Sequence, residues 1–251
     1  MNKLQSFIKL KGNSFLDNVS VQKEKLKYLF CRLIEKLILK KDRFSMGDTL
    51  MKPTIIDNGY GLFLCKEKCL DLHIVSGSYE FETGKVFEKI AKKSKVIVDV
   101  GAHIGKYTIL ASKVNPNAEV FPIEVDKKNF ITLNKNISLN NLKNVYPIRV
   151  GLSNRKGREK FNNWLREGFE IVKTDTLDNL FKNKEIDLIK IDVDGSEFNI
   201  LKGGINLFSK KRIKNVIIEI NDNCYKEVIQ FFKKYGYKLI KIQYENYLAT
   251  F

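Results

Sequence analysis

Residues 96–108, VIVDVGAHIGKYT, decide the fold of this chain. The stretch begins with a run of β-branched residues, which is typical of a strand buried on both faces of a parallel sheet. Gly101 and Gly105 then frame a sharp turn, and residues 106–113 have apolar side chains at helical spacing. A strand, a glycine loop and a helix in this order predict an α/β sheet. Its ligand crevice is expected at the carboxyl end of the strand, where glycine lets the backbone approach a ligand closely.

The spacing within the glycine loop narrows the class of ligand. A dinucleotide fingerprint has the pattern Gly-x-Gly-x-x-Gly, whereas this loop has Asp99 followed by two glycines, as Asp-x-Gly-x-x-x-Gly. Residues 118–123 predict a second buried strand that ends at Glu124, about 20 residues beyond the loop, where a carboxylate can accept hydrogen bonds from both ribose hydroxyls. Together these features favour S-adenosylmethionine over NAD. A glycine turn by itself also occurs at many junctions between a strand and a helix.

Length, composition and charge bound the class of protein. The chain has 251 residues, of which 43% are hydrophobic, and this is enough for one α/β domain with an N-terminal extension. Its formal net charge is +16. A basic field attracts nucleic acid, acidic glycans and anionic lipid alike, and a lysine-rich composition without any specific partner gives the same charge. The charge alone therefore selects no partner.

The cysteines, the histidines and the amino-terminal residues indicate a cytoplasmic protein without a metal site. No Cys-x-x-Cys pair occurs, so all the cysteines are expected to be reduced, namely Cys31, Cys65, Cys69 and Cys224. His73 and His103 are not at zinc-ligand spacing from them. Lysines interrupt the apolar groups of residues 1–15, so neither a signal peptide nor a membrane-spanning run is predicted.

The alternation of strands and helices begins near Lys93 and predicts the domain boundary. Residues 1–93 are expected to form an N-terminal extension, and residues 94–251 the cofactor-binding domain. The extension contains a basic amphipathic helix at 21–41, a hairpin at 53–65, a short strand at 70–75 and a helix at 82–92. The helix at 21–41 either packs its apolar stripe on the protein or associates with a partner or with anionic lipid at the inner face of the membrane.

The second half of the chain continues the alternation and predicts the sheet. Further strands are expected at 145–150, 186–191, 215–220, 237–242 and 247–251, and residues 154–166 predict a loop or hairpin. The predicted fold is α/β, a doubly wound and mostly parallel sheet with an antiparallel C-terminal strand, preceded by the helix and β-hairpin of the extension.

Over residues 95–221 the chain resembles the FkbM family of S-adenosylmethionine-dependent methyltransferases. The resemblance rests on VIVDVGAHIGKYT at 96–108, IEVDKKNFITLNKNISLN at 123–140, TDTLDNLF at 174–181 and IDLIKIDVDGSEFNILKGG at 186–204. The last stretch is similar to the family signature Lys-Ile-Asp-Val-Glu-Gly-Ala-Glu, from which it departs at Asp194 and Ser196. Val125 stands where the family commonly has proline. The resemblance implies a Rossmann-like class I methyltransferase fold and O-methylation of a sugar or polyketide hydroxyl.

The resemblance and the chemistry of the residues together imply the cofactor contacts. Asp99 and the loop backbone are expected to hold the methionine part of the cofactor, and Glu124 the ribose. Val125 is expected to lie against the adenine. The full set of expected cofactor-binding residues is Asp99, Gly101, His103, Gly105, Tyr107, Thr108, Glu124, Val125, Asn129, Gly151 and Leu152.

Three carboxylates near the ends of the fourth and fifth strands are the candidate catalytic residues, namely Asp192, Asp194 and Glu219. Transfer to a hydroxyl requires removal of its proton, either by a carboxylate base or with a divalent cation that lowers the hydroxyl pKa. The metal-free base is favoured, because the sequence shows no His or Asn that completes an oxygen-rich cage. Helix capping and loop hydrogen bonding are the structural alternative for each carboxylate.

Two other functions compete with methylation of a sugar, glycan or glycolipid. The basic charge suits an RNA ribose 2′-O-methyltransferase. A base-directed RNA enzyme is disfavoured, because the chain lacks an Asn- or Asp-Pro-Pro-aromatic motif. The third alternative is a non-catalytic binding module with the same fold. The sequence predicts no oligomeric state.

Overall fold

A computed structural model describes residues 10–34, 52–66, 71–77, 79–161, 169–193 and 195–251. The described residues within Met1–Phe81 and Lys135–Asn141 form one compact unit, and those within Glu82–Asn134 and Leu142–Phe251 form a second. This grouping by proximity does not test whether residues 1–93 are a separate extension, and that boundary stays a prediction.

The first unit contains a small antiparallel sheet and two helices. Its elements are β1 (Lys11–Gly12), α1 (Phe15–Ile34), β2 (Thr54–Asp57), β3 (Leu62–Cys65) and α2 (Asp71–Val75). The strand order is β1-β2-β3, and β2 and β3 form the predicted hairpin. Gly59 has a φ of +92° at its tip, while the Asn58 side chain accepts hydrogen bonds from the N–H groups of Tyr60 and Gly61. The Asp-Asn-Gly sequence therefore predicted the hairpin correctly, because its asparagine and glycine supply the hydrogen bonds and the positive φ that the turn requires.

The outer edge of β3 is covered by asparagine side chains. Asn136 accepts a hydrogen bond from the Leu64 N–H at 2.7 Å. Asn140 accepts one from the Leu62 N–H at 2.9 Å and donates one to the Leu62 carbonyl at 2.7 Å. The two amides therefore satisfy backbone groups that an exposed edge strand would leave to solvent or to another chain.

The second unit is a sheet flanked by helices. Its elements in chain order are α3 (Phe81–Ala91), β4 (Val96–Val100), α4 (Lys106–Val114), β5 (Glu119–Ile123), α5 (Lys127–Leu139), β6 (Gly151–Leu152), β7 (Gly157–Phe161), β8 (Glu170–Asp175), α6 (Leu177–Leu180), β9 (Ile186–Ile191), α7 (Glu197–Lys202), α8 (Ile205–Ser209), β10 (Ile213–Glu219), α9 (Tyr225–Lys234), β11 (Lys238–Gln243) and β12 (Asn246–Thr250). The last turn of α5 belongs to the first unit.

The large sheet confirms the predicted fold class. Its order is β11-β12-β10-β9-β4-β5, and the pairs β5-β4, β4-β9 and β9-β10 are parallel. Strand β12 runs antiparallel to β10 and β11. The β-branched strands β4 and β9 lie at the centre, where burial on both faces explains their near-continuous apolar sequences. Residues 154–166, for which a loop or hairpin was predicted, contribute β7 to a smaller sheet of order β6-β8-β7, and residues 162–168 lie outside the described part.

The prediction of a regular third strand at 145–150 was wrong. This segment runs parallel to β5 but forms only isolated bridges, Val120 to Val145 and Ile123 to Ile148. The Ile148 N–H donates to the carbonyl of Pro122, so the nitrogen of Pro122 faces the same segment. Proline has no N–H to donate, and the ladder is therefore interrupted at its middle.

The prediction of a strand at 70–75 was also wrong, because α2 occupies residues 71–75. The apolar residues of a short run fit both periodicities, and local hydrogen bonds select the helix. The Asp71 carboxylate accepts the Lys66 N–H at 2.8 Å, and Ser76 donates to the His73 carbonyl through both its N–H and its hydroxyl. Residue 70 lies outside the described part of the chain.

Helix α1 includes residues 21–34 of the predicted amphipathic helix but begins six residues earlier, at Phe15. Residues 35–41 lie outside the described part of the chain. In the described ranges, no helix combines the length and the apolar character that a membrane span requires.

Candidate active site

The glycine loop after β4 is fixed by backbone contacts to both neighbouring strands. The N–H groups of Gly101 and Ala102 donate to the carbonyl of Ile123 on β5, at 3.0 and 3.1 Å. On the other side, a Cβ built at Gly101 would lie 1.8 Å from the carbonyl oxygen of Asp192. Gly101 also has a φ of +78°. Position 101 therefore requires glycine for both its conformation and its close approach to the loop after β9.

The carboxylate of Glu124 joins the glycine loop to the loop after β5. One oxygen accepts the His103 N–H at 2.8 Å, and the other accepts the Asp126 N–H at 2.7 Å. The residue is 6% exposed. Its carboxylate therefore orders the loop in addition to any contact with a ligand, and this bridging role was not predicted from the sequence.

Helix α4 begins directly after Gly105, and no side chain caps its N-terminus. The first N–H groups of a helix lack partners within the helix and carry the positive end of its dipole, which suits an anionic group. Within α4, the Thr108 hydroxyl donates to the Asp99 carboxyl at 2.6 Å. Burial raises the pKa of Asp99, and the charge of Asp192 adds to this, while Lys190 and the Thr108 hydrogen bond act in the opposite direction.

The residues predicted to meet an adenine ring lie beyond Glu124. The side chain of Val125 is 3.5 Å from a Cβ built at Gly151, so the two positions face each other where glycine leaves room. Leu152 is buried in the core of the unit. The Asn129 N–H donates to the Asp126 side chain, which caps α5 as the sequence predicted.

Asp192 and Glu219 are brought together at the carboxyl edge of the sheet, where their side chains are hydrogen-bonded to each other. The Lys190 ammonium lies 2.5 Å from the second carboxylate oxygen of Asp192. Burial alone would raise the pKa of Asp192, but Lys190, the hydrogen bond with Glu219 and the charge of His103 together lower it. Asp192 is therefore ionised at neutral pH. Asp194 lies outside the described residues.

Lys190 and Asn246 are polar residues of this edge that were not among the predicted site residues. Lys190 is 3% exposed, and its ammonium lies 4.6 Å from the centre of the Tyr107 ring. Asn246 pairs with Glu219 across β10 and β12, is 4% exposed, and its buried amide oxygen accepts no hydrogen bond from the described residues. The sequence does contain a signal for Lys190, namely an aspartate two residues later, because side chains two positions apart in extended backbone point to the same face.

The arrangement supplies the elements of group transfer to an oxygen nucleophile. One side of the edge has a glycine loop, an uncapped helix N-terminus and a carboxylate on the neighbouring strand. The other side has an ionised carboxylate that can accept a proton. Among the described residues, no cluster of three or more His, Cys, Asp or Glu side chains has the geometry of a metal site.

Comparison with known proteins identifies related sequences. Residues 99–239, more than half of the chain, match the model of the methyltransferase FkbM domain. Hexuronic acid methyltransferase AglP of Haloferax volcanii is 31% identical, in an alignment that covers 52% of this chain and 58% of that protein. Methyltransferase 1 of Beauveria bassiana is 25% identical, with coverages of 51% and 65%. The chain thus spans less than two thirds of the length of these two relatives.

Among solved structures, precorrin-6y C5,15-methyltransferase from Geobacter metallireducens aligns with a TM-score of 0.45 and 16% sequence identity. The alignment covers 68% of this chain and 87% of that one.

Substitution of Gly101 by alanine tests the contact between the two loops. We expect Gly101→Ala to lower the free energy of unfolding by about 1–3 kcal/mol more than Gly195→Ala, because only the first adds a steric clash. Both glycines have positive φ, but a Cβ at Gly195 would meet nothing within 4 Å. Urea denaturation of both variants measures the difference. Equal losses would show that the loops separate at little cost.

Proposed function

The chain belongs to the FkbM methyltransferase family, and on that premise we propose that it methylates a hydroxyl oxygen of a sugar, glycan or glycolipid. The cofactor is S-adenosylmethionine, which supplies a methyl group on a positively charged sulfur. The remaining chemistry falls to the protein, which must hold the cofactor, orient the hydroxyl and take its proton.

The residues around the glycine loop fit this cofactor. The uncapped N-terminus of α4 would hold the carboxylate of its methionine part. Glu124 would accept hydrogen bonds from the ribose hydroxyls through the lone pairs that His103 and Asp126 leave open. Val125 and Gly151 lie side by side, and we assign the adenine to the surface that they form, where glycine presents no side chain.

The ion pair between Lys190 and Asp192 carries the proposal of O-methylation. It keeps a carboxylate ionised at the sheet edge, and the glycine loop touches the backbone of the same aspartate. A carboxylate of lowered pKa is a weak base at the start of the reaction. It accepts the proton once the hydroxyl oxygen has begun to bond to carbon and has become strongly acidic. The role that we propose for Asp192 is therefore to orient the hydroxyl and then to receive its proton.

An acidic sugar is the acceptor that the available observations favour. The relative from Haloferax volcanii is named a hexuronic acid methyltransferase, and a net charge of +16 attracts an anionic acceptor. Asn246 supports a sugar acceptor of either kind, since it pairs with Glu219 in the sheet and its amide oxygen can accept a hydrogen bond from a second hydroxyl. Labelled S-adenosylmethionine incubated with uronic acid glycans, neutral glycans and RNA tests the choice. Transfer to RNA alone would favour the ribose 2′-O alternative, and no transfer to any acceptor would favour the binding module.

Cofactor binding tests the assignment of Glu124 to the ribose. We expect the unmodified protein to bind S-adenosylhomocysteine about 10–100-fold more tightly than its 2′-deoxy analogue, the usual value of a hydrogen bond to a charged group. In Glu124→Ala this preference should disappear. Isothermal titration of both ligands with both proteins gives the coupling energy between Glu124 and the 2′-hydroxyl. Disorder of the loop would weaken both ligands equally and would not contribute to this energy. A preference that survives the substitution would contradict the assignment.

Substitution of Asp192 tests the chemistry. We expect Asp192→Asn to reduce turnover by about 10²-fold or more, the usual cost of losing a base, with cofactor affinity within a few-fold of the original. The backbone contact with Gly101 does not involve the carboxylate, so the loop should persist. EDTA should have little effect. Activity that is lost with EDTA and restored by Mg²⁺ would favour the metal alternative, and normal turnover of the variant would leave Asp192 a structural role only.

We further propose that α1 associates with anionic membrane surfaces. Leu16 and Leu26 are 66% and 73% exposed. Successive residues in the series Leu16, Val19, Lys23 and Leu26 are three or four positions apart, so all of them lie on one face of the helix. Val21 lies on the buried side. An exposed apolar stripe with basic neighbours is typical of helices that lie in a membrane interface.

Vesicle sedimentation tests this association. The combined variant Leu16→Asn and Leu26→Asn should bind phosphatidylserine vesicles at least about tenfold more weakly, and binding should fall with added salt. Tyr244→Asn removes an equally exposed apolar side chain far along the sequence and is the matched control. Equal binding by all three proteins would exclude a role for this helix face.

A further inference from the structure

Lys190 occupies an unusual position for a charged side chain. It lies within β9, which is paired on both sides by β4 and β10, and it is 3% exposed. A buried ammonium is costly unless opposite charges and hydrogen-bond acceptors surround it. Its partner at 2.5 Å is Asp192, and its ammonium also lies over the ring of Tyr107. Because burial of an ammonium is costly, we expect this charge to have a function at the sheet edge.

The register of the sheet places further charged groups on the same face. Asp99 on β4 is the direct neighbour of Lys190, and Asp192 follows Lys190 two residues later, directly after the end of β9. Glu219 at the end of β10 is hydrogen-bonded to Asp192, and the charge of His103 reaches the same carboxylate from the glycine loop. Helix α4 adds the Tyr107 ring, with the Lys106 ammonium also over it at 5.1 Å.

We propose that Lys190 is a positioning residue whose ammonium holds the Asp192 carboxylate ionised and in place beside the acceptor hydroxyl. This inference rests on the proposed function, since it assigns a role within the same site. Among these groups Lys190 is the buried cation in direct contact with the base. Tyr107 fixes the ammonium by a cation–π contact, and the strand fixes its stem.

The reaction requires an Asp192 carboxylate that is ionised before the acceptor hydroxyl loses its proton. The proton that leaves the acceptor hydroxyl adds one positive charge to Asp192, while one positive charge disappears as the carbon–sulfur electron pair stays on sulfur. Total charge in the buried region is therefore unchanged. Without Lys190, burial beside Asp99 and Glu219 would raise the pKa of Asp192, and a larger fraction of this carboxyl would be protonated. That fraction could accept no proton from the acceptor hydroxyl.

The experiment compares Lys190→Met, Lys190→Arg and Lys214→Met. Lys214 is also paired with an aspartate, Asp187 at 2.7 Å, but this pair lies at the amino end of β10 and is partly exposed, so it is the matched control. The main measurement is the titration of the Asp192 carboxyl by carbon NMR in protein without cofactor, assigned with Asp192→Asn. The second is the pH dependence of turnover.

We expect Lys190→Met to raise the midpoint of the Asp192 titration by about 1–3 pH units, the usual effect of losing an opposite charge at this distance. Turnover at neutral pH should fall about tenfold or more, and its acidic limb should move to higher pH. Lys190→Arg should restore most of the original profile, and Lys214→Met should leave it unchanged. An unshifted Asp192 midpoint in Lys190→Met would overturn the proposal.

A reciprocal measurement applies if Lys190→Met does not fold. The titration of the Lys190 ammonium is then followed by nitrogen NMR in the unmodified protein and in Asp192→Asn, where loss of the partner should lower the midpoint by about 1–3 pH units. An unchanged midpoint would overturn the proposal. Because both titrations use protein without cofactor, they succeed or fail independently of whether any sugar is methylated.

Discussion

No side chain can be placed at position 101, because a Cβ there would lie 1.8 Å from the carbonyl oxygen of Asp192. The Asp192 N–H in turn donates to the carbonyl of Val100 at 3.1 Å. The loops after β4 and β9 are thus joined backbone to backbone, without any adjustable side chain between them. The glycine loop and the Asp192 carboxylate depend on this junction for their separation, and a shift of either loop would move both.

The parts of the fold that were predicted correctly are those whose cause is local. β-Branched runs mark the buried parallel strands, and the Asp-Asn-Gly sequence before Tyr60 marks the hairpin, because the required backbone conformations suit those residues. The third strand was mispredicted for a non-local reason. The segment at 145–150 has a good strand sequence, but its ladder is broken by Pro122 on the neighbouring strand. Pairing depends on the partner, which periodicity along one segment does not reveal.

In the candidate site, too, features with a local cause were predicted and those that depend on distant residues were not. The glycine pattern and the spacing to Glu124 identify the loop, and the structure places Asp192 and Glu219 in contact as their positions at adjacent strand ends suggest. The sequence did not reveal that Glu124 bridges two backbone N–H groups, nor that Lys190 pairs with Asp192. A lysine at this position of β9 does not by itself indicate which group it contacts. The role of Lys190 depends on Asp192, which lies two positions later on the same face. Asp99 joins this face only through the pairing of β4 with β9.

The charges of this protein act at two different distances. The net charge of +16 acts through solvent, where salt screens interactions beyond about 8 Å at physiological ionic strength. The contact between Lys190 and Asp192 is partly shielded from solvent, since the side chains are 3% and 22% exposed, and screening there is weaker. In the function that we propose, attraction of an anionic acceptor and control of its proton therefore depend on separate groups. On that proposal, sequence changes on the surface would alter which acceptors arrive without altering the ion pair, and one catalytic edge would then serve acceptors of different charge.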